Sequence, residues 1–114
     1  MPRLFIARTF RERASGLLAR APLQNDQALL LLGCGAVHTL GMSYPVSLIY
    51  FDRRGRVLAR RRCVKPWRVS ACYAAAAVLE LHPQCAAAVR QLLIRRAGRA
   101  VRCWSGLGDY CRTR

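Results

Sequence analysis

Two apolar rhythms alternate along the 114 residues, one with helical spacing and one with the short runs of buried strands. Phe10, Ala14, Leu17, Leu18 and Ala21 recur at helical spacing and predict one buried stripe, with Arg11, Glu12, Ser15 and Arg20 off it. Thr9-Phe10-Arg11-Glu12 fits a capping box, whose hydroxyl and carboxylate each accept an unpaired backbone N–H, and Pro22 stops the helix. Strands are predicted over Arg3–Arg8, Ala28–Leu32, Ala36–Leu40 and Val46–Phe51, the last rich in branched and aromatic residues. Asp52-Arg53-Arg54-Gly55 then predicts a hairpin turn. Arg56–Arg62 should return antiparallel, with Val57 and Ala59 on one face and Arg56, Leu58, Arg60 and Arg62 on the other.

Ala75–Leu81 reads as a further strand, apolar around Glu80. Pro83 suits a first helical position, Ala86, Val89, Leu92 and Leu93 form a second stripe, and Arg95 and Arg96 precede a Gly98 that can cap the helix. Arg99–Trp104 would close as a final strand. The pattern predicts a mainly β (α+β) fold, a small antiparallel barrel or sandwich with one or two helices packed at its open ends. Residues 1–104 form one domain on this reading and 105–114 a flexible C-terminal tail.

No apolar run approaches the roughly 20 residues of a membrane span, and MPRLFIARTF is too poor in apolar residues for a secretory signal. The expected location is the cytoplasm, with six free cysteines, no two of them spaced as CxxC. The net charge of +15 favours nucleic acid, anionic lipid or an acidic partner. Nineteen of the 20 basic residues are Arg, however, and beside abundant Ala and Leu that bias is also what a GC-rich genome produces.

Several constellations could carry chemistry. Cys34, His38 and Met42 are separated by even steps, and on an unbroken strand they would present three soft metal donors to one side; Gly35 and Gly41 argue against that continuity, and no metal or cofactor is expected. A Cys34/His38 pair or a Ser47, His38, Asp52 arrangement lacks a glycine-framed nucleophile, so no catalytic residue is assigned. Arg53, Arg54, Arg56 and the run Arg60, Arg61, Arg62 form a polyanion-binding candidate, or else a solvated sheet edge. Trp67, between Lys65 and Arg68, resembles a stacking platform for single-stranded nucleic acid or a clamp for its own loop.

The order of blocks adds a family to this reading. Glu12-Arg13 before Gly16-Leu17-Leu18, then Val37-His38-Thr39-Leu40-Gly41-Met42, then Phe51-Asp52 with Gly55 and Val57 behind it, resembles the uncharacterised bacterial and archaeal DUF 192 family. Pro66-Trp67-Arg68 and Val78-Leu79-Glu80-Leu81 extend the resemblance over roughly residues 4–101. It implies a compact β-rich barrel or sandwich and no established activity. Two family carboxylates are replaced here, by Ser47 and by Arg99. The resulting expectation is a non-enzymatic binding or accessory module for a small ligand or a protein. Its candidate polar pocket gathers Arg13, His38, Thr39, Met42, Asp52, Trp67 and Glu80. The alternative is non-specific nucleic-acid or polyanion binding through the arginine surface.

Overall fold

Three strands are buried on both faces, and that fixes the architecture. In the computed structural model, which describes residues 2–7, 23–39 and 42–112 (side chains as far as Gly106), seven strands and one helix are present among the described residues. They are β1 (Arg3–Ala7), β2 (Gln27–Leu32), β3 (Ala36–His38), β4 (Val46–Phe51), β5 (Val57–Val64), β6 (Val69–Ala71), β7 (Ala77–Leu81) and α1 (Ala87–Arg112). The helix predicted over residues 9–21 lies outside the described residues, as do Arg13, Leu40 and Gly41. Strands β1-β2-β7-β4-β5 form one sheet in that order, and β3 pairs with β6 in a second. The result is mainly β and sandwich-like rather than a closed barrel.

Side chains alternate across a strand, so one apolar strand serves two cores. Leu30, Leu32, Ile49, Phe51, Leu79 and Leu81 meet Leu93, Ala97 and Val101 of α1 on one face. Leu29, Leu31, Leu48, Tyr50 and Val78 meet Val37 and Met42, from the side of the small sheet, on the other. The Tyr50 hydroxyl pins the layers together by bonding Ser70 Oγ of β6 at 2.8 Å.

Several expectations are corrected. β1 and β2 run parallel, whereas every other pairing is antiparallel. The helix lies across a sheet face, not at an open end. It begins at Ala87 because Pro83 sits in a turn, where Cys85 N bonds His82 O and Gln84 N bonds His82 Nδ1. Arg99–Trp104 is helix, not strand, and α1 continues to Arg112, through the stretch read as a tail. The reason is visible in the stripe Val89, Leu93, Ala97, Val101, which keeps its spacing past Gly98 and goes on burying apolar surface.

In β5, Phe51 pairs with Val57 and Tyr50 with Ala59, leaving Leu58 as an extra, exposed residue. This bulge inverts the alternation. Val57 therefore packs on the helix face and Ala59 on the other, rather than both together.

Gly98 is no helix cap. It is buried where α1 crosses the β4–β5 turn, and a Cβ there would lie 2.6 Å from the carbonyl oxygen of Gly55. Gly55 in turn has φ of +80°, and a Cβ on it would collide with the Gly98 backbone. Alanine in a helix interior gains about 1 kcal/mol over glycine, but overpacking against backbone costs about 1–3 kcal/mol. Gly98→Ala is therefore expected to lower the melting temperature by several degrees. A thermal scan showing an unchanged or higher midpoint would refute the close packing.

Candidate functional site

Glu80 is the one charged group built into the sheet interior among the described residues. Its partners in register are Leu29 of β2 and Leu48 of β4, so it points into the layer that β3 and β6 cover. Only 4% of it is exposed. Its Oε2 and the hydroxyl of Tyr44 are both buried without a hydrogen-bond partner among the described residues. Removal from water disfavours the charged carboxylate and pushes its pKa up to about 7. Burial, and then the charge of Glu80, also raises the Tyr44 phenol.

The other expected pocket residues lie around this point in different ways. On β3, Val37 is buried and His38 is exposed. Met42 is in the core, and Cys34 packs partly against it with Sγ bonded to Ala36 O at 2.9 Å. His38 thus faces away from the Met42 side. Among the described residues, no group of three or more His, Cys, Asp or Glu is arranged to hold a metal ion. Thr39 is fully buried and acts as a peg: its hydroxyl donates to Lys65 O at 2.7 Å and accepts from Arg68 N at 2.9 Å. Trp67 stands on the loop so held and is 64% exposed.

Asp52 is placed elsewhere, closing the β4–β5 turn. One carboxylate oxygen accepts the N–H groups of Arg54 and Arg56, each at 2.9 Å, and the other meets Arg56 Nε at 3.3 Å. Those backbone hydrogen bonds hold its carboxyl below the usual range. Asp52 lies four residues along β4 from Leu48, the partner of Glu80, and that is about 13 Å of strand. Ser47 is buried with its hydroxyl donating to Arg61 O at 3.3 Å.

The arginines gather at the seam between edge strand β5 and α1. At one end Arg60, Arg62 and Arg90 line a cavity of about 300 Å³ with Ser47 and Ile49. At the other Arg53, Arg54 and Arg102 line one of about 400 Å³ with Ser105 and Gly106. Arg61, on the opposite face of β5, places its guanidinium 5.9 Å from the Tyr50 ring centroid. Sequence reasoning missed Arg90, Arg102 and Tyr44. Arg102 lay in a stretch read as strand, Arg90 gave no signal until α1 was docked, and Tyr44 sits in an irregular turn with no periodicity to betray its burial.

Glu80 yields a pH prediction. Between about 4.5 and 7 the folded protein holds a proton on Glu80 that the unfolded chain releases, so its contribution to stability falls as pH rises through that window. The shift from 4.5 to about 7 corresponds to a loss on the order of 3 kcal/mol by pH 8. Glu80→Gln should match the native protein at pH 5 and exceed it at pH 8 in chemical denaturation. An identical pH slope in both proteins would contradict the assignment.

Comparison with known proteins bears on the fold and the family. No curated protein matches the chain significantly. A protein of unknown function from Novosphingobium aromaticivorans DSM 12444 superposes with a TM-score of 0.61 at 23% identity, over 76% of this chain and 67% of the other. A protein from Sinorhizobium meliloti 1021, described as a candidate transcription regulator, superposes with a TM-score of 0.63 at 20% identity, over 78% of this chain and 72% of the other. These similarities concern the fold. Residues 2–92 match the model of DUF192, described as "Uncharacterized ACR, COG1430", and the chain therefore belongs to the DUF192 family.

Proposed function

We propose that this protein is a non-enzymatic binding module whose ligand is a polyanion. The observation that carries the reading is the pair of three-arginine cavities at the two ends of the β5–α1 seam. Like charges held together raise the local potential. The chain has five carboxylates against 20 cations. Of those, Asp52 is occupied by Arg56 and the β4–β5 turn, and Glu80 is buried on the far face of the sheet. No acidic side chain is among the described residues lining the cavity of Arg60, Arg62 and Arg90, and a chain of phosphates would supply counter-charge there with release of its own counterions.

Arg90 of one cavity and Arg102 of the other stand twelve residues apart on α1, about 18 Å along the helix, room for several phosphates rather than one. A small-ligand pocket around His38 and Asp52 has less support, because His38 is solvent-facing and the Asp52 carboxylate is already occupied. The description of one structural relative as a candidate transcription regulator accords with a nucleic-acid ligand, although that likeness speaks to fold alone. Among the described residues no helix is long and apolar enough to cross a membrane.

The test is a salt titration of DNA, RNA and inorganic polyphosphate binding by fluorescence anisotropy or competition. Affinity should fall linearly with salt on logarithmic axes, and Arg60→Ser with Arg62→Ser should reduce the slope by about two. Replacing Arg95 and Arg99, exposed and outside both cavities, should do less. No binding at low ionic strength would overturn the proposal, and equal effects of the two double variants would replace the seam with diffuse charge.

A further inference from the structure

The arginine strand β5 runs directly into a loop, Lys65-Pro66-Trp67-Arg68, whose backbone is held more tightly than its sequence suggests. Trp67 has φ of +64°, in the left-handed region that a bulky side chain rarely enters. Four hydrogen bonds to one residue keep it there. Thr39 Oγ1 donates to Lys65 O at 2.7 Å, Arg68 N donates to Thr39 Oγ1 at 2.9 Å, Thr39 N donates to Arg68 O at 2.8 Å, and Trp67 N donates to Thr39 O at 2.9 Å. Thr39 itself is fully buried, so the peg is part of the core.

Despite this fixed backbone, the indole gains little from folding. It is 64% exposed, in a conformation that glycine would adopt without strain. Neither core packing nor backbone preference accounts for a tryptophan here. The exposed residues that flank it along the chain are apolar and cationic together. Val69 is 70% exposed, directly across from exposed His38 in the β3–β6 pair, and Tyr73 beyond β6 is fully exposed. Lys65 and Arg68 are exposed on either side of the indole, and Arg61 stands on the same face of the main sheet as β6.

We infer that this face binds single-stranded nucleic acid, with bases stacked on Trp67 and Tyr73 and phosphates running past Lys65 and Arg68 towards Arg61 of β5. The inference rests on the polyanion reading and specifies its ligand. Flat aromatic surfaces gain from bases that are free to leave their own stack, which single strands offer and duplexes do not. The cations beside the rings match a phosphate backbone and would repel a basic partner. A preorganised indole also loses no further backbone freedom on binding.

The full chain is titrated with labelled oligo(dT), with an abasic oligodeoxynucleotide of equal length, and with a duplex. The abasic strand carries the phosphates without the bases. Oligo(dT) should bind about ten-fold more tightly than the abasic strand. Trp67→Ala should abolish that margin while leaving the abasic affinity unchanged, and Trp67→Phe should retain part of it. Trp67→Gly serves as the folding control: its melting temperature should be no lower than that of the native protein, yet its oligo(dT) affinity should drop to the abasic level. Equal affinity for oligo(dT) and the abasic strand, a preference for the duplex, or oligo(dT) binding indifferent to Trp67 would overturn the inference and leave the arginine seam standing. Failure to bind any of the three would overturn both.

Discussion

Everything in this fold depends on the insertion of β7 between β2 and β4. The strand arrives late in the chain, yet it supplies the ladder on both sides of the sheet centre, pairing five residues with β2 and five with β4. Every one of its residues is buried. A central strand of this kind cannot tolerate an uncovered face, because its backbone groups are satisfied only within the ladder and its side chains project both ways. Helix α1 covers one face, and the layer carrying Val37 and Met42 covers the other. The position of Glu80 follows from that alternation. With Leu79 and Leu81 committed to the helix side, the residue between them must enter the opposite core.

The helix contact has a parallel effect on the charged perimeter. Two glycines allow the backbone of α1 to touch the β4–β5 turn, Gly98 against Gly55. This approach draws Arg102 towards Arg53 and Arg54, and along the same seam Arg90 faces Arg60 and Arg62. Arg90 is further fixed by donating to Pro83 O and Cys85 O, which ties the helix start to the turn before it. The same close packing that orients the helix therefore concentrates positive charge along one edge. An edge strand bearing arginines on both faces also resists pairing with another chain.

On the small sheet the controlling element is Thr39. One buried hydroxyl and the backbone of the same residue organise a four-residue loop and force Trp67 into a left-handed conformation. The polar contact thus acts through geometry more than through energy, since a hydroxyl hydrogen bond contributes only about 1 kcal/mol net.

Much of this was legible in the residues. The uninterrupted apolar runs of β2 and β4 indicated strands, Asp52 through Gly55 indicated the turn between β4 and β5, and Thr39 and Trp67 stood out within blocks typical of the family. Local pattern encodes such features because turn chemistry and side-chain alternation act over a few residues. What needed the tertiary structure was everything set by distant partners. Gly98 looked like a helix end and proved to be a contact point, because only the docked turn shows why a side chain is forbidden there. Val57 and Ala59 parted to opposite faces because the register of β4 against β5, not the sequence of β5, placed the bulge at Leu58. Asp52 and Glu80, both acids at or within strands, were separated by the path of the sheet into a turn cap and a buried carboxylate. The sequence by itself determined the strands other than β6, the charge and the family; the tertiary structure decided which charges meet, since Coulomb and desolvation terms depend on distance and burial that no linear spacing contains.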